Sequence, residues 1–201
     1  MHRRHLLAAA IIALTATAAT AQTNPPTRIR GTIAALDGNT LTVNSRGGEA
    51  IPVTLNDPLT VSALKKVDLA SIDQNAYVGI ATRTGPDGRM TAIEVLVFPE
   101  AARGAGEGHY PWDLEPGSMM TNGTVTGAVS ATNGRDLTIR HKDDSKTIAV
   151  PAGVPVVTPI PAERADLKPG AQVFMIATKN AEGKLAVSRV TVGKDGVNPP
   201  M

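Results

Sequence analysis

Apolar and polar residues alternate along most of the chain from Arg28 onward. A period of two puts one face of a segment in a core and the other in water, which predicts half-buried strands. The first part of the pattern consists of Ile33, Leu41/Val43, Ile51/Val53/Leu55, Val78/Ile80 and Ile93/Val95/Val97. Turn-forming dipeptides such as Asp37-Gly38 separate these segments. Five short strands therefore fit between Arg30 and Phe98, and the spacing within 62–72 predicts a short helical turn.

The same order of segments returns after residue 121. The matched segments are Arg30–Ile33 with Asn122–Val125, Leu41–Val43 with Leu137–Ile139, Asp68-Leu69 with Asp166-Leu167, Gly79–Arg83 with Met175–Lys179, and Asp87–Met90 with Glu182–Leu185. Ordered matches that share their turns indicate a duplicated domain. The expected cores are Ile33, Val43, Val53, Ile80 and Val95 in the first copy, and Val125, Ile139, Val150, Ile176 and Val190 in the second.

The start of the chain has the pattern of a cleavable secretory signal. A basic segment, Met1–His5, precedes an apolar stretch that ends in Ala19-Thr20-Ala21, before Gln22. This order is typical of export signals, and the apolar stretch is shorter than the about 20 residues of a membrane-spanning helix. We expect a periplasmic or secreted protein without a transmembrane segment in the mature chain. The predicted division is a signal over 1–21, a leader over 22–29, a first domain over 30–99, a linker over 100–121, a second domain over 122–195 and a tail over 196–201.

Five strands with a helical turn between the third and the fourth have the order of an OB-type barrel. The sequence therefore predicts an all-β protein of two tandem five-stranded OB-like small barrels, each with a short helical turn, joined by an irregular linker. A β-sandwich is the main alternative, but it needs about seven strands in each copy.

Two segments resemble a known group of proteins. Residues 31–43, Gly-Thr-Ile-Ala-Ala-Leu-Asp-Gly-Asn-Thr-Leu-Thr-Val, and residues 166–173, Asp-Leu-Lys-Pro-Gly-Ala-Gln-Val, are similar to exported bacterial OB-like barrels of the domain-of-unknown-function family numbered 5666. The resemblance extends over both repeats. It implies a protein of the bacterial envelope or a secreted protein, and it carries over no catalytic or ligand-binding residue.

Composition and charge exclude several classes of function. The absence of cysteine excludes disulfides, thiolate metal sites and cysteine nucleophiles. The chain has 20 Lys and Arg against 18 Asp and Glu, and loss of Arg3 and Arg4 with the signal leaves 18 of each kind. A neutral mature chain lacks the basic excess that neutralises phosphates in nucleic-acid-binding proteins. We therefore expect no nucleic acid among its partners.

The familiar catalytic patterns are incomplete in this sequence. Ser62-Ala63-Leu64-Lys65 has the Ser-x-x-Lys spacing of penicillin-binding enzymes, but the Ser-Asp-Asn and Lys-Thr-Gly partner motifs are absent. Only His109 and His141 follow the signal, and neither stands in a Ser-His-Asp pattern. The glycines from Gly104 to Gly108 lack the strand-to-helix context of a phosphate loop. We expect no enzyme, no catalytic residue and no cofactor.

The linker has the most unusual chemistry of the chain. Its weak metal-ligand candidates are Glu107, His109, Asp113 and Glu115, to which Met119-Met120 add thioethers. Strong sites use two or more histidines at fixed spacing, so packing of Tyr110 and Trp112 against a barrel is the favoured role of the segment. We expect these rings to dock the linker on the second repeat, because the linker carries net −3 and that repeat net +3.

The favoured function is a non-catalytic exported envelope protein with a binding or structural role, whose partner is an envelope protein or a small ligand. The first alternative is a protein that binds metal or a small ligand through the linker around His109. The second is a hydrolase whose site strand periodicity does not reveal.

Overall fold

A computed structural model describes residues 25–131 and 133–199, so the predicted signal over 1–21 lies outside the described residues. Twelve strands and three single-turn 3-10 helices make up this part of the chain. The strands are β1 (Thr27–Asp37), β2 (Thr40–Ser45), β3 (Ala50–Lys66), β4 (Tyr77–Thr84), β5 (Met90–Val97), β6 (Gly108–Pro111), β7 (Met119–Ala131), β8 (Gly134–His141), β9 (Asp144–Pro151), β10 (Val156–Pro161), β11 (Gln172–Lys179) and β12 (Leu185–Val192). The 3-10 turns are Leu69–Ser71, Glu100–Ala102 and Arg164–Asp166. The all-β prediction is confirmed.

Alternation and turn glycines account for the local structure. In β2, Leu41 and Val43 are fully buried while Thr40 and Asn44 are exposed, as a period of two requires. Gly38, in the turn between β1 and β2, has a positive φ of 51°, which glycine adopts without steric cost. The predicted helical stretch over 62–72 is largely strand, because β3 extends to Lys66 and only Leu69–Ser71 forms a turn of helix.

Pairing between distant strands closes the first barrel. We name the ring of β1, β2, β3, β12 and β11 the terminal barrel, because it combines the first three strands with the last two. The parallel pairing of β3 with β12 closes the ring. Its core contains Ile33, Val43 and Val53 from the first repeat together with Met175 and Val190 from the second.

The remaining main strands form a second ring. We name the ring of β4, β5, β9, β8 and β7 the central barrel. A single parallel bridge between Thr91 and Ala149 joins β5 to β9 and completes it. Its core contains Ile80 and Val95 from the first repeat with Val125, Ile139 and Val150 from the second.

These pairings correct the predicted division into one barrel over 30–99 and another over 122–195. Each barrel takes three strands from one repeat and two from the other, so the repeats exchange their last two main strands. Local alternation is the same whether a strand closes its own ring or the ring of the other copy. Strand β3 continues past its own ring and pairs with β10, so it belongs to the connection between the rings as well.

The crossing of β3 and β10 joins the two barrels. The strands run antiparallel and pair from Lys66 with Val157 to Ser62 with Pro161. A small apolar cluster of Leu64, Leu96 and Val157 forms at this crossing, with Phe98 packed against it. The shared cluster makes the barrels one folded unit.

The register of β11 differs by one residue from the sequence match. Ile80 is fully buried, but Ile176, its predicted counterpart, is 48% exposed. Met175 takes the core position instead, and Phe174 stands where the first repeat has Gly79. Because strand side chains alternate between faces, a shift of one residue moves the whole set to the other side. The prediction that Ile176 belongs to a core is therefore wrong.

The segment from Glu100 to Ser118, named the strap below, connects the repeats. Its strand β6 lies antiparallel to β7, from Gly108 opposite Asn122 to Pro111 opposite Met119. The strap thus adds a short strand beside the central barrel. Among residues 25–131 and 133–199, no helix has the length and apolarity needed to cross a bilayer.

Candidate functional site

The strap covers the outer face of the central barrel. Asn122 donates from Nδ2 to the carbonyl of Ala105 at 3.1 Å and to the Tyr110 hydroxyl at 3.2 Å. The Tyr77 hydroxyl donates to the same Ala105 carbonyl at 3.2 Å. Gly79 makes this close contact feasible, since a Cβ there would lie 2.6 Å from Asn122 Oδ1. The outer side chains of β4 and β7 are therefore engaged by the strap.

Beyond β6, the strap reaches the terminal barrel through Trp112. The ring centre of Trp112 lies 4.0 Å from Cζ of Arg28 and 6.3 Å from the ring centre of Phe174. A guanidinium over an indole face is attracted by the ring quadrupole. Arg28 lies on β1 and Phe174 on β11, so the ring contacts strands from both ends of the chain and not the second repeat alone. Tyr110 contacts the edge of this ring and Asn122.

Arg30 is the most deeply placed cation at this contact. Its side chain is 7% exposed, and Nη1 lies 2.8 Å from Oδ1 of Asp113. Cζ lies 4.8 Å from the Phe174 ring centre and 5.5 Å from that of Trp112. Burial lowers the pKa of the Arg30 guanidinium, and the Asp113 carboxylate opposes that shift. Nε and Nη2 have no hydrogen-bond partner among the described residues.

Glu94 is buried between the barrels. It is fully buried on β5, and neither carboxylate oxygen has a hydrogen-bond partner within the described chain. Burial raises the pKa of Glu94 to about 8, while the charge of Arg30 acts in the opposite direction. The alternating pattern did not predict a buried carboxylate at Glu94. This residue lies on the face of β5 that alternation assigns to solvent.

The structure separates the four predicted metal-ligand candidates. Asp113 binds Arg30, and a Glu115 oxygen lies 3.8 Å from Arg83. Glu107 accepts a 2.8 Å hydrogen bond from the backbone N–H of Lys142. Within residues 25–131 and 133–199, no group of three or more histidine and carboxylate side chains is arranged to hold a metal ion.

His109 lies beside His141, which is distant from it in sequence. Its ring stacks on that of His141 with centres 6.1 Å apart, and its Nδ1 lies 2.8 Å from Oγ1 of Thr121. Burial first, and then the charge of Lys146, lower the pKa of His109. His141 is itself buried, although it ends β8 at a hairpin. The pair packs β6 against the β8–β9 hairpin.

A large groove lies between the barrels, and no motif in the sequence predicts it. Its volume is about 690 Å³. Apolar side chains from both barrels line it, namely Leu64, Leu96, Phe98, Phe174, Ile176 and Val187. Hydroxyl groups contribute as well, from Thr60, Ser62, Thr178, Ser188 and Thr191. Ser62 lies on β3 beside Thr191, at 3.2 Å between hydroxyl oxygens, and not on a capped helical turn with Lys65.

No protein-family model, curated protein or solved structure matches this chain. The resemblance to the exported family of OB-like barrels therefore stays a prediction.

Proposed function

We propose that this protein is a non-catalytic exported protein that binds a small amphipathic molecule in the groove between its barrels. The observation that carries the proposal is Ile176, which is 48% exposed and lines the groove. An apolar side chain displayed in a concave site of this size favours ligand burial, since most small-molecule pockets have volumes of about 300–1,000 Å³.

The internal duplication supports this assignment. On the central barrel, the outer face of β4 and β7 is covered by the strap through Tyr77 and Asn122. On the terminal barrel, the equivalent face of β11 presents Phe174, Ile176 and Thr178 to the groove. The strap supplies a partner for the covered face, and on our proposal a ligand in the groove supplies one for the other face.

The polar lining suggests the chemistry of the ligand. Ser188 and Thr191 on β12 supply hydroxyls, and the exposed Arg189 is the charged residue that lines the groove. An apolar body with an acidic head group matches this lining, since a guanidinium binds carboxylates and sulfonates well. The buried carboxylate of Glu94 is sealed from solvent, which supports a binding role over a hydrolytic one.

Dodecanoate tests this function as a defined amphipathic anion. Calorimetric titration should show saturable binding at one site. The Ile176→Ser variant should bind at least about tenfold more weakly, because full burial of such a side chain contributes roughly 1.5–3 kcal/mol and about 1.4 kcal/mol is tenfold in affinity. Arg189→Gln should weaken binding of dodecanoate more than binding of dodecanol.

Val129→Ser is the matched control. Val129 is the other large apolar residue that is exposed within the described chain, and it does not line the groove. Its substitution should leave affinity unchanged. Equal losses in the two serine variants, or no binding to the native protein, would contradict the proposed function.

A further inference from the structure

The terminal-barrel wall of the groove is built from side chains in cross-strand rows. Strands β3 and β12 run parallel, and Ser62 lies opposite Thr191 in their pairing. Thr191 also lies opposite Phe174 on β11, so these three residues form one row across the wall. Thr178 lies farther along β11, at the other end of the wall, about 13 Å from Phe174 at the usual rise of a strand.

The amide and charged groups of the groove gather toward the Thr178 end. Thr178 pairs with Ala186 on β12. Ser188, which follows on the same strand, accepts a 3.1 Å hydrogen bond from Nδ2 of Asn56. Arg189 comes directly after Ser188, and all of these residues line the groove. This end therefore offers amide, hydroxyl and guanidinium groups to a ligand.

The opposite end of the groove is apolar. Beyond Ser62, β3 continues to Leu64, which packs with Leu96 and Phe98 where the two barrels join. The hydroxyl oxygens of Ser62 and Thr191 lie 3.2 Å apart and share a hydrogen bond, so an apolar group can contact them without leaving either one unpaired. The lining thus changes from polar to apolar along the length of the groove.

The strap forms part of the apolar end. It begins just after Phe98, and its residues Ala102 and Ala105 line the groove. The N–H of Ala102 donates to the Pro99 carbonyl at 2.8 Å, within the 3-10 turn that opens the strap. The Ala105 carbonyl accepts the 3.2 Å hydrogen bond from the Tyr77 hydroxyl. Two methyl groups on a well-held backbone therefore form a boundary for an apolar chain.

We propose that the groove binds a single-chain acid in one orientation, with its head group toward Arg189 and its chain end at Ala102, which limits the chain length accepted. This proposal rests on the function proposed above and adds the residue that sets specificity. The reverse orientation would bury the acid group beside Leu64 and Leu96 without a hydrogen-bond partner, which is costly.

Chain length gives the proposal a measurable form. Each methylene that becomes buried should raise affinity about fourfold. The increase should stop at the length at which the chain reaches Ala102, because further methylenes find no room in the groove. We call this the limiting length.

Calorimetric titration with octanoate, decanoate, dodecanoate and tetradecanoate measures the limiting length. Ala102→Leu fills the space of the chain end with a larger side chain and should shorten the limiting length. The variant should bind dodecanoate at least about tenfold more weakly and octanoate within about twofold of the native protein. An affinity that rises equally in both proteins up to tetradecanoate would overturn the proposal.

Ala101→Leu is the matched control. Ala101 belongs to the same 3-10 turn, but it is exposed and does not line the groove. Its substitution should leave the limiting length as in the native protein. Equal losses of dodecanoate affinity in the two leucine variants would overturn the role of Ala102. Absence of binding for all four carboxylates would instead refute the proposed function itself.

Trp112 reports the orientation in the unsubstituted protein. It is the only tryptophan of the chain, and its ring centre lies 6.3 Å from that of Phe174, at the apolar end of the groove. Bromine quenches tryptophan fluorescence only at short range. At saturation, ω-bromododecanoate should therefore quench Trp112 more strongly than α-bromododecanoate. Equal quenching, or stronger quenching by the α-bromo acid, would overturn the single orientation, whether or not the Ala102→Leu variant folds.

Discussion

The terminal and central barrels have equivalent cores but different outer faces. Where the central barrel has Gly79, the terminal barrel has Phe174, and the buried Glu94 corresponds to the exposed Arg189. Gly79 leaves room for Asn122, whose side chain binds the strap, whereas Phe174 contacts Trp112 of the strap and lines the groove. Comparison of the barrels shows that their interiors, which set the fold, are similar and that their outer faces differ. The candidate ligand site lies on the divergent surface.

The largest expected effect comes from separating the repeats. A chain cut between Gly104 and Gly108 yields two fragments, each of which lacks strands of both barrels. Neither fragment should show cooperative thermal unfolding as a monomer, and an equimolar mixture should recover one transition in circular dichroism.

Mass determination belongs in this experiment, because two copies of one repeat can exchange strands with each other as the repeats do within the chain. A fragment that unfolds cooperatively as a monomer would show that strand exchange is dispensable for barrel closure.

The second expected effect concerns Glu94, whose counterpart in the other barrel is exposed. Its pKa rises from 4.5 to about 8 in the folded protein, so the folded state keeps a proton that the unfolded chain releases. The free energy of unfolding should therefore fall as pH rises from about 4.5 to about 8. Glu94→Gln should remove this pH dependence. At pH 9 the variant should be more stable than the native chain by up to about 5 kcal/mol, because each unit of pKa shift corresponds to roughly 1.4 kcal/mol.

Urea unfolding at pH 5 and at pH 9 measures this difference. Arg189→Gln is the control at the equivalent position of the terminal barrel, and it should leave the pH dependence as it is. A native chain that is equally stable at both pH values, or a Glu94→Gln variant that is destabilised at pH 9, would refute the assignment of a protonated buried carboxylate.

The third prediction compares Ile80 with Ile176. The sequence repeat aligns these two residues, but the structure buries Ile80 and exposes Ile176. Ile80→Ala should cost about 3 kcal/mol, because it removes fully buried methyl groups from the central core. Ile176→Ala should change stability by less than about 0.5 kcal/mol, since its side chain projects from the barrel. Chemical denaturation measures both, and similar losses at the two positions would contradict the register of β11.

Strand content and turns were predictable because they depend on local chemistry. Alternation placed Leu41 and Val43 on the buried face, as the structure has them. The Asp37-Gly38 dipeptide marked the turn at the end of β1. The register of β11 was not predictable in this way. Phe174 and Ile176 form as good an apolar alternation as Val173 and Met175, so packing against the other strands decides which pair is buried.

Neither the pairing of distant strands nor the candidate site was predictable from the sequence, and the reason is related. Strands β4 and β11 have similar patterns, so alternation does not determine which ring each one closes. Glu94 and Arg30 are far apart in sequence, and the charge of Arg30 acts on Glu94 only because the fold brings β1 and β5 near each other. The groove likewise arises from strands of both repeats, and no local motif encodes it.

The exchange of strands has a consequence for the order in which the protein forms during synthesis. The strands of the central barrel are complete once Pro151 has left the ribosome, whereas β1 must wait for β11 and β12. Contacts between segments so far apart in sequence close slowly, because chain entropy must be lost before they form. The N-terminal strands therefore remain an open sheet with unpaired edges until the final strand emerges. The beginning of the chain is consequently the part most dependent on an intact C-terminus.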